Sequence, residues 1–103
     1  MNAKKEFIEE IKDKKVKCVL IGQEYNYDSE DYDKKIELKI GHSKADYFRF
    51  LDKLDFDYDD GYGGQNLYGF IWYTDDTFSS RGEYDGSEWW ESHTTPEIPK
   101  ELF

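Results

Sequence analysis

Leu67-Tyr-Gly-Phe-Ile-Trp-Tyr-Thr-Asp-Asp-Thr-Phe-Ser-Ser-Arg81-Gly-Glu-Tyr-Asp-Gly-Ser-Glu-Trp-Trp-Glu-Ser-His93 is the stretch that decides the fold. It reads as three strands joined by two tight turns. Leu67–Thr74 is strongly apolar, Asp75-Asp76 is a turn signal, and Thr77–Tyr84 is the next strand. Asp85-Gly86 is a type I′ hairpin signal, because both central positions of that turn need positive φ. Ser87–His93 completes the meander, and Pro96 and Pro99 end regular structure.

Two-residue turns fix the pairing by arithmetic. Tyr84 then faces Ser87, Glu83 faces Glu88, Gly82 faces Trp89 and Arg81 faces Trp90. Across the first turn Tyr73 faces Phe78, Ile71 faces Ser80, Phe70 faces Arg81 and Gly69 faces Gly82. One face would carry Leu67, Ile71, Tyr73, Phe78, Tyr84 and Trp89 as core. The other would carry Tyr68, Phe70, Trp72, Arg81, Glu83, Glu88 and Trp90 at the surface. Arg81 would stack between Phe70 and Trp90. The opposed pair Glu83 and Glu88 calls for a nearby cation, which Arg81 can supply.

Upstream, residues 3–13 place Phe7, Ile8 and Ile11 at helical spacing. Residues 16–25 contain Cys18-Val-Leu-Ile21, an apolar run that predicts a strand buried on both faces. Residues 35–41 alternate, with Ile36, Leu38 and Ile40 inward. Residues 26–33 between them read as a polar loop. Ser43-Lys-Ala-Asp46 is a capping box with Asp in place of Glu. It opens a helix whose stripe is Tyr47, Phe50, Leu51 and Leu54. The expected order is α-β-β-α-β-β-β: one α+β domain over 1–103, with a mainly antiparallel sheet of about five strands and two helices on one face.

The chain has 103 residues, 18% of them aromatic, and a net charge of −10. The aromatic content supplies a core and opposes disorder. The charge is uneven. Residues 1–53 hold 12 basic and 12 acidic residues, whereas residues 54–103 hold 2 basic and 12 acidic ones. That asymmetry opposes direct binding to nucleic acid or anionic lipid and favours a basic protein or cations. Cys18 is the single cysteine, so no intrachain disulfide can form. The opening residues lack the apolar run of a signal peptide and no segment reaches membrane-spanning length, which predicts a cytoplasmic protein.

Candidate chemistry is sparse. Asp55, Asp57, Asp59 and Asp60 before Gly61 resemble the start of a calcium loop. Glycine falls at position seven of that loop where six is needed, and Asn66 stands where a bidentate Glu belongs. A solvated acidic loop is the plainer reading. Cys18 sits in the most apolar run, and His42 and His93 have no ligand-like spacing to it. No nucleophile–base constellation, metal motif or cofactor motif is present, so the expectation is a non-enzymatic protein without a cofactor. The residues expected to meet a partner are Asp55, Asp57, Asp59 and Asp60 with Glu83, Asp85, Glu88 and Glu91. Tyr58, Tyr62 and Trp90 would add aromatic anchors. Carboxylates spaced along strands imitate phosphate charge density, so such a face would suit the basic groove of a nucleic-acid-handling protein. Two other readings stay open: a calcium- or small-ligand-binding domain through Asp55–Gly61, and a homo-oligomeric structural protein built on the Trp90 face.

The segment Gly69-Phe-Ile-Trp-Tyr…Arg81-Gly-Glu-Tyr-Asp-Gly-Ser-Glu-Trp-Trp90-Glu…Pro96-Glu-Ile-Pro99 resembles a block found in small uncharacterised phage and prophage proteins. It covers the last third of the chain and carries no known active site. The resemblance implies a mobile-element setting, in which small acidic domains inhibit host nucleases or other DNA-binding defences.

Overall fold

A computed structural model describes residues 2–26, 28–58, 67–84 and 87–94, and only the backbone of 24–26, 33 and 84. The elements are α1 (Ala3–Ile11), β1 (Val16–Asn26), β2 (Asp31–Leu38), α2 (Lys44–Leu54), β3 (Leu67–Tyr73), β4 (Thr77–Tyr84) and β5 (Ser87–Thr94). The five strands form one antiparallel sheet in the order β2-β1-β3-β4-β5. The chain is therefore α+β, in the element order that its patterning predicts.

Both helices lie on one face of the sheet. From α1 come Ala3, Phe7 and Ile11, and from α2 Phe50, Leu51 and Leu54. They meet Val19, Ile21, Ile36, Leu38, Ile71 and Tyr73 of the sheet in one core cluster. Phe7 and Phe50 touch edge to face at 5.2 Å, locking helix to helix. The buried stripe of α1 runs through every fourth residue from Ala3. Ile8, expected inward, is therefore turned out and exposed.

Local signals account for the helix ends. Asn2 caps α1 by accepting from the Lys5 N–H. The capping box of α2 is complete. Ser43 Oγ accepts from the Asp46 N–H, and the Asp46 carboxylate accepts from the Ser43 N–H, each at 3.1 Å.

Three expectations fail for stated reasons. The β1–β2 hairpin pairs down to Asn26 opposite Asp31, so Asn26 and residues 31–33 of the expected loop are strand. Ile40 lies beyond the end of β2 and is 68% exposed. The strand β1 is not buried on both sides: Val19 and Ile21 face the helices, but Cys18 and Leu20 on the far side are only half-buried.

The first turn of the meander matters most. Trp72 pairs with Phe78 and Ile71 with Ser79. That register leaves Thr74, Asp75 and Asp76 as a three-residue turn, one longer than expected. Asp76 takes φ +66°, the left-handed position of such loops. Asp75 accepts from the Thr77 N–H at 3.1 Å and fixes the corner. The extra residue shifts β4 and β5 by one against β3, and a one-residue shift exchanges their faces. The second hairpin pairs as expected, with Arg81 opposite Trp90 and Glu83 opposite Glu88. Its turn, Asp85-Gly86, lies outside the described residues.

Asp46 gives the fold a testable pH signature. Its pKa is held below the ordinary aspartate range, first by the Ser43 N–H and then by Arg49. A depressed carboxyl contributes stability that is complete above its unfolded pKa of about 3.9 and is lost as pH falls through the lower folded value. Asp46→Ala should therefore melt below the wild type at neutral pH, and the gap should close in acid below that window. Thermal unfolding across the range checks this; a gap of constant size would refute it.

Candidate functional site

Two regions of the sheet carry the chemistry: a buried ionic knot under the helices and an aromatic face opposite them.

The knot follows from the exchanged faces. Arg81 was expected at the surface between Phe70 and Trp90. Instead it points to the helix side with its side chain 1% exposed, and Phe70 lies on the other face. Nη1 lies 3.0 Å from Glu6 Oε2 of α1, and Nη2 lies 3.1 Å from Glu88 Oε1 of β5. Nη2 also donates to the Tyr58 hydroxyl at 2.9 Å, and that hydroxyl donates to Glu6. The rings of Trp90 and Tyr58 flank the guanidinium at 5.1 and 5.7 Å. Glu88 Oε1 accepts the Leu67 N–H at 2.8 Å. Burial is the largest influence on Arg81 and opposes its charge, but the Glu6 carboxylate and the Tyr58 hydroxyl together outweigh it, so its pKa is raised. Burial likewise pushes the Tyr58 hydroxyl up, as does its bond to Glu6, and the proton stays on Tyr58.

A second polar cluster lies beside it. Glu10 Oε2 accepts from Ser79 Oγ and Ser92 Oγ, each at 2.7 Å. The single proton of Ser79 goes to Glu10, so the Tyr73 hydroxyl is the donor in its 2.8 Å contact with Ser79. Thus α1 sits on β4 and β5 through Glu6 and Glu10, one helical turn apart.

The expected partner-facing residues are not brought together. Glu88 is buried and committed to Arg81, and Tyr58 is buried against the same group. Trp90 is half-buried against the core instead of standing free. Glu83 is exposed and pairs with Glu88 across the hairpin, on the helix side of the strands. Glu91 is exposed on the opposite face. Asp55 and Asp57 stand at the start of α1, both accepting from Asn2 Nδ2. Asp59, Asp60, Tyr62 and Asp85 lie outside the described residues. The acids that are described therefore scatter over the interior and several surfaces. For Glu88 the cause is the Thr74–Asp76 turn, which sends it inward with Arg81, whereas Asp55 and Asp57 are placed by Asn2.

The opposite face was expected to expose Phe70 and Trp72, as it does. The sequence reading missed that Phe78 and Trp89 join them there and that this face is the candidate site. Trp72 pairs with Cys18 on one side and Phe78 on the other, and Phe78 pairs with His93. The next row runs Glu37, Leu20, Phe70, Ser80, Glu91 across all five strands. Phe70 stacks on Trp72 at 5.5 Å, Phe78 on His93 at 4.9 Å, and Tyr32 tilts against Tyr68 at 5.4 Å. No described element covers these rings, and Phe70, Trp72 and Trp89 are 44, 37 and 38% exposed. Phe78 and Trp89 were expected in the core; the shifted register turns them out.

Ser80 Oγ lies 2.8 Å from His93 Nε2, and Glu91 approaches that same nitrogen at 3.8 Å. A catalytic triad needs the carboxylate on the other ring nitrogen, so the grouping lacks that geometry. Cys18 lies on the same face, paired with Trp72. Among the described residues no three His, Cys, Asp or Glu side chains group to hold a metal, and no helix is long and apolar enough to cross a membrane. Comparison with known proteins finds no match among family models, curated proteins or solved structures.

The knot generates a prediction. Arg81→Met strands Glu6 and Glu88 beside each other and should cost about 3–5 kcal/mol. Adding Glu6→Gln and Glu88→Gln should recover more than about 1 kcal/mol, because the uncompensated buried charges go with it. Urea unfolding of the single and triple variants measures both. A single variant within about 0.5 kcal/mol of wild type would show that the guanidinium is not holding the helix to the sheet.

Proposed function

We propose that this is a non-enzymatic binding protein that docks the open face of its sheet onto a basic protein. The observation that carries this is the run of stacked rings that no helix covers among the described residues. Contiguous exposed aromatic surface marks an interaction site, whereas single exposed rings do not. Rings of this kind suit arginine in particular. A guanidinium stacks on Trp or Phe for about 0.5–2 kcal/mol and can meet a carboxylate at the same time. Glu91, 2.8 Å from the Trp89 indole nitrogen, offers that carboxylate.

Charge selects the partner class. A net charge of −10 accelerates association with a basic surface and repels phosphate backbones. Bases stack on open aromatic sheets too, but only where cations hold the backbone. The resemblance of the C-terminal block to phage and prophage proteins supports a setting: inhibition of a basic, nucleic-acid-handling host protein. The acids act here as a long-range field around the aromatic contact, not as a phosphate-like array.

Affinity capture with the full chain, repeated with the Phe70→Thr/Trp72→Thr variant, tests the reading. Wild type should retain a basic protein, with capture falling as salt rises from about 50 to about 300 mM. The variant should keep its circular dichroism and lose at least about ten-fold in capture. Equal capture by both proteins, or a captured partner that is acidic, refutes the proposal. A wild-type dimer that the variant dissolves would replace it with self-association.

A further inference from the structure

We infer that the outer edge of β5 takes up an extended segment of the basic partner as a sixth strand. This rests on the docking reading above and names where and how the partner's backbone engages.

β5 is an edge strand, paired only with β4 among the described residues. Every second residue of an edge strand aims its N–H and C=O away from its neighbour. From Trp89 to Thr94 the backbone makes no hydrogen bond outside the β4 ladder among the described residues. The register with β4 is regular from end to end, with no bulge to twist the edge aside.

The two edges of the sheet differ. β2 carries Asp31, Lys34, Lys35 and Glu37, and an Asp31–Lys35 ion pair at 2.8 Å. Such charges discourage strand addition. The stretch Trp89–Thr94 has no lysine and no proline, and Glu91 is its only charged residue.

A groove of about 640 Å³ lies along this edge, lined by Lys5, Glu9 and Lys12 of α1 and by Trp89, Trp90 and Ser92 of β5. Trp89 and Trp90 point to opposite faces of the sheet. A groove touching both straddles the strand's edge, where a sixth strand would sit about 4.8 Å away. Alternate side chains of that strand would fall on two different surfaces. On the open face they meet Trp89 and Glu91, which suit arginine. On the helix side they meet Lys5 and Lys12 against Glu9, with Glu6 and Glu10 already engaged by Arg81 and by Ser79 and Ser92, a mixed lining that suits uncharged residues. A second copy of β5 would instead bring Glu91 and a whole chain of like net charge against the edge. The favoured occupant is an extended segment with arginine at alternate positions.

The capped peptide Thr-Arg-Val-Arg-Thr-Arg-Val is a direct probe, titrated into the isotope-labelled full chain. Two isomers, N-methylated on one or the other alternate set of amides, keep the charge and block pairing from one side. Amide shifts and slowed exchange should appear in β5. One isomer should bind at least about ten-fold more weakly than the parent and the other within about three-fold. Isomers that bind alike, with shifts confined to the rows of Phe70 and Trp72, overturn the edge inference and leave the open-face reading standing. Shifts confined to a second copy's β5, no binding of the parent peptide, or outward β5 amides already protected in the free protein also overturn it. The capture experiment judges the docking reading independently.

Discussion

A guanidinium with 1% exposure is expensive to bury, and the rest of this structure is arranged around keeping Arg81 compensated. Its partners come from separate parts of the chain: Glu6 from α1, Tyr58 from the segment after α2, Glu88 from β5. Leu67, the first residue of β3, joins through Glu88. Residues 59–66, outside the described residues, are thus bounded at both ends by groups bonded to the same knot. Ion pairs of this kind contribute little net stability over an apolar replacement, but they penalise every arrangement that separates the partners. Together with Glu10 on Ser79 and Ser92, the knot ties α1 to β4 and β5 by polar bonds. The α2 side is held by apolar packing of Phe50, Leu51 and Leu54.

The elements were legible because their signals are local. Ser43 and Asp46 mark the start of α2, and β4 and β5 pair in the register that the dipeptide Asp85-Gly86 predicts from sequence. The faces were not legible, because they depend on a count. Thr74-Asp75-Asp76 accommodates a two- or three-residue turn, and aspartate tolerates the left-handed position well enough to permit the longer one. Serine at position 79 gave no local signal of its inward place: the Glu10 carboxylate that accepts from it lies 69 residues away in sequence. The pairing of Arg81 with Glu88 followed correctly from the hairpin, while the side of the sheet on which it occurs did not.

Counting acids misled for a related reason. Twelve acidic residues in the second half of the chain describe its field at a distance, and composition carries no information about which of them are consumed internally. Glu88 answers Arg81, Asp75 fixes a turn, and Asp55 and Asp57 hold Asn2. The same register shift that withdrew Glu88 and Trp90 turned out Phe78 and Trp89. One turn residue therefore decides both what is buried and what is presented.

The presented rings are also held in place before any partner arrives. A Cβ on Gly22 would fall 2.5 Å from the Tyr32 ring, so that ring lies directly across the bare backbone of β1. A Cβ on Gly82 would fall 2.7 Å from the Trp89 indole nitrogen, which donates to Glu91. A ring over or beside a glycine buries part of its area against bare backbone and loses rotamer freedom within the folded chain. Association then has less side-chain entropy left to remove, and immobilising a mobile side chain costs about 0.5–1.5 kcal/mol. Tyr32 and Trp89 stand toward opposite ends of the sheet order, on β2 and β5, with Phe70 and Trp72 fixed between them by stacking. A surface restrained at its margins and stacked at its centre is organised for contact, and the two glycines give it that form because a side chain at either would lift the ring away.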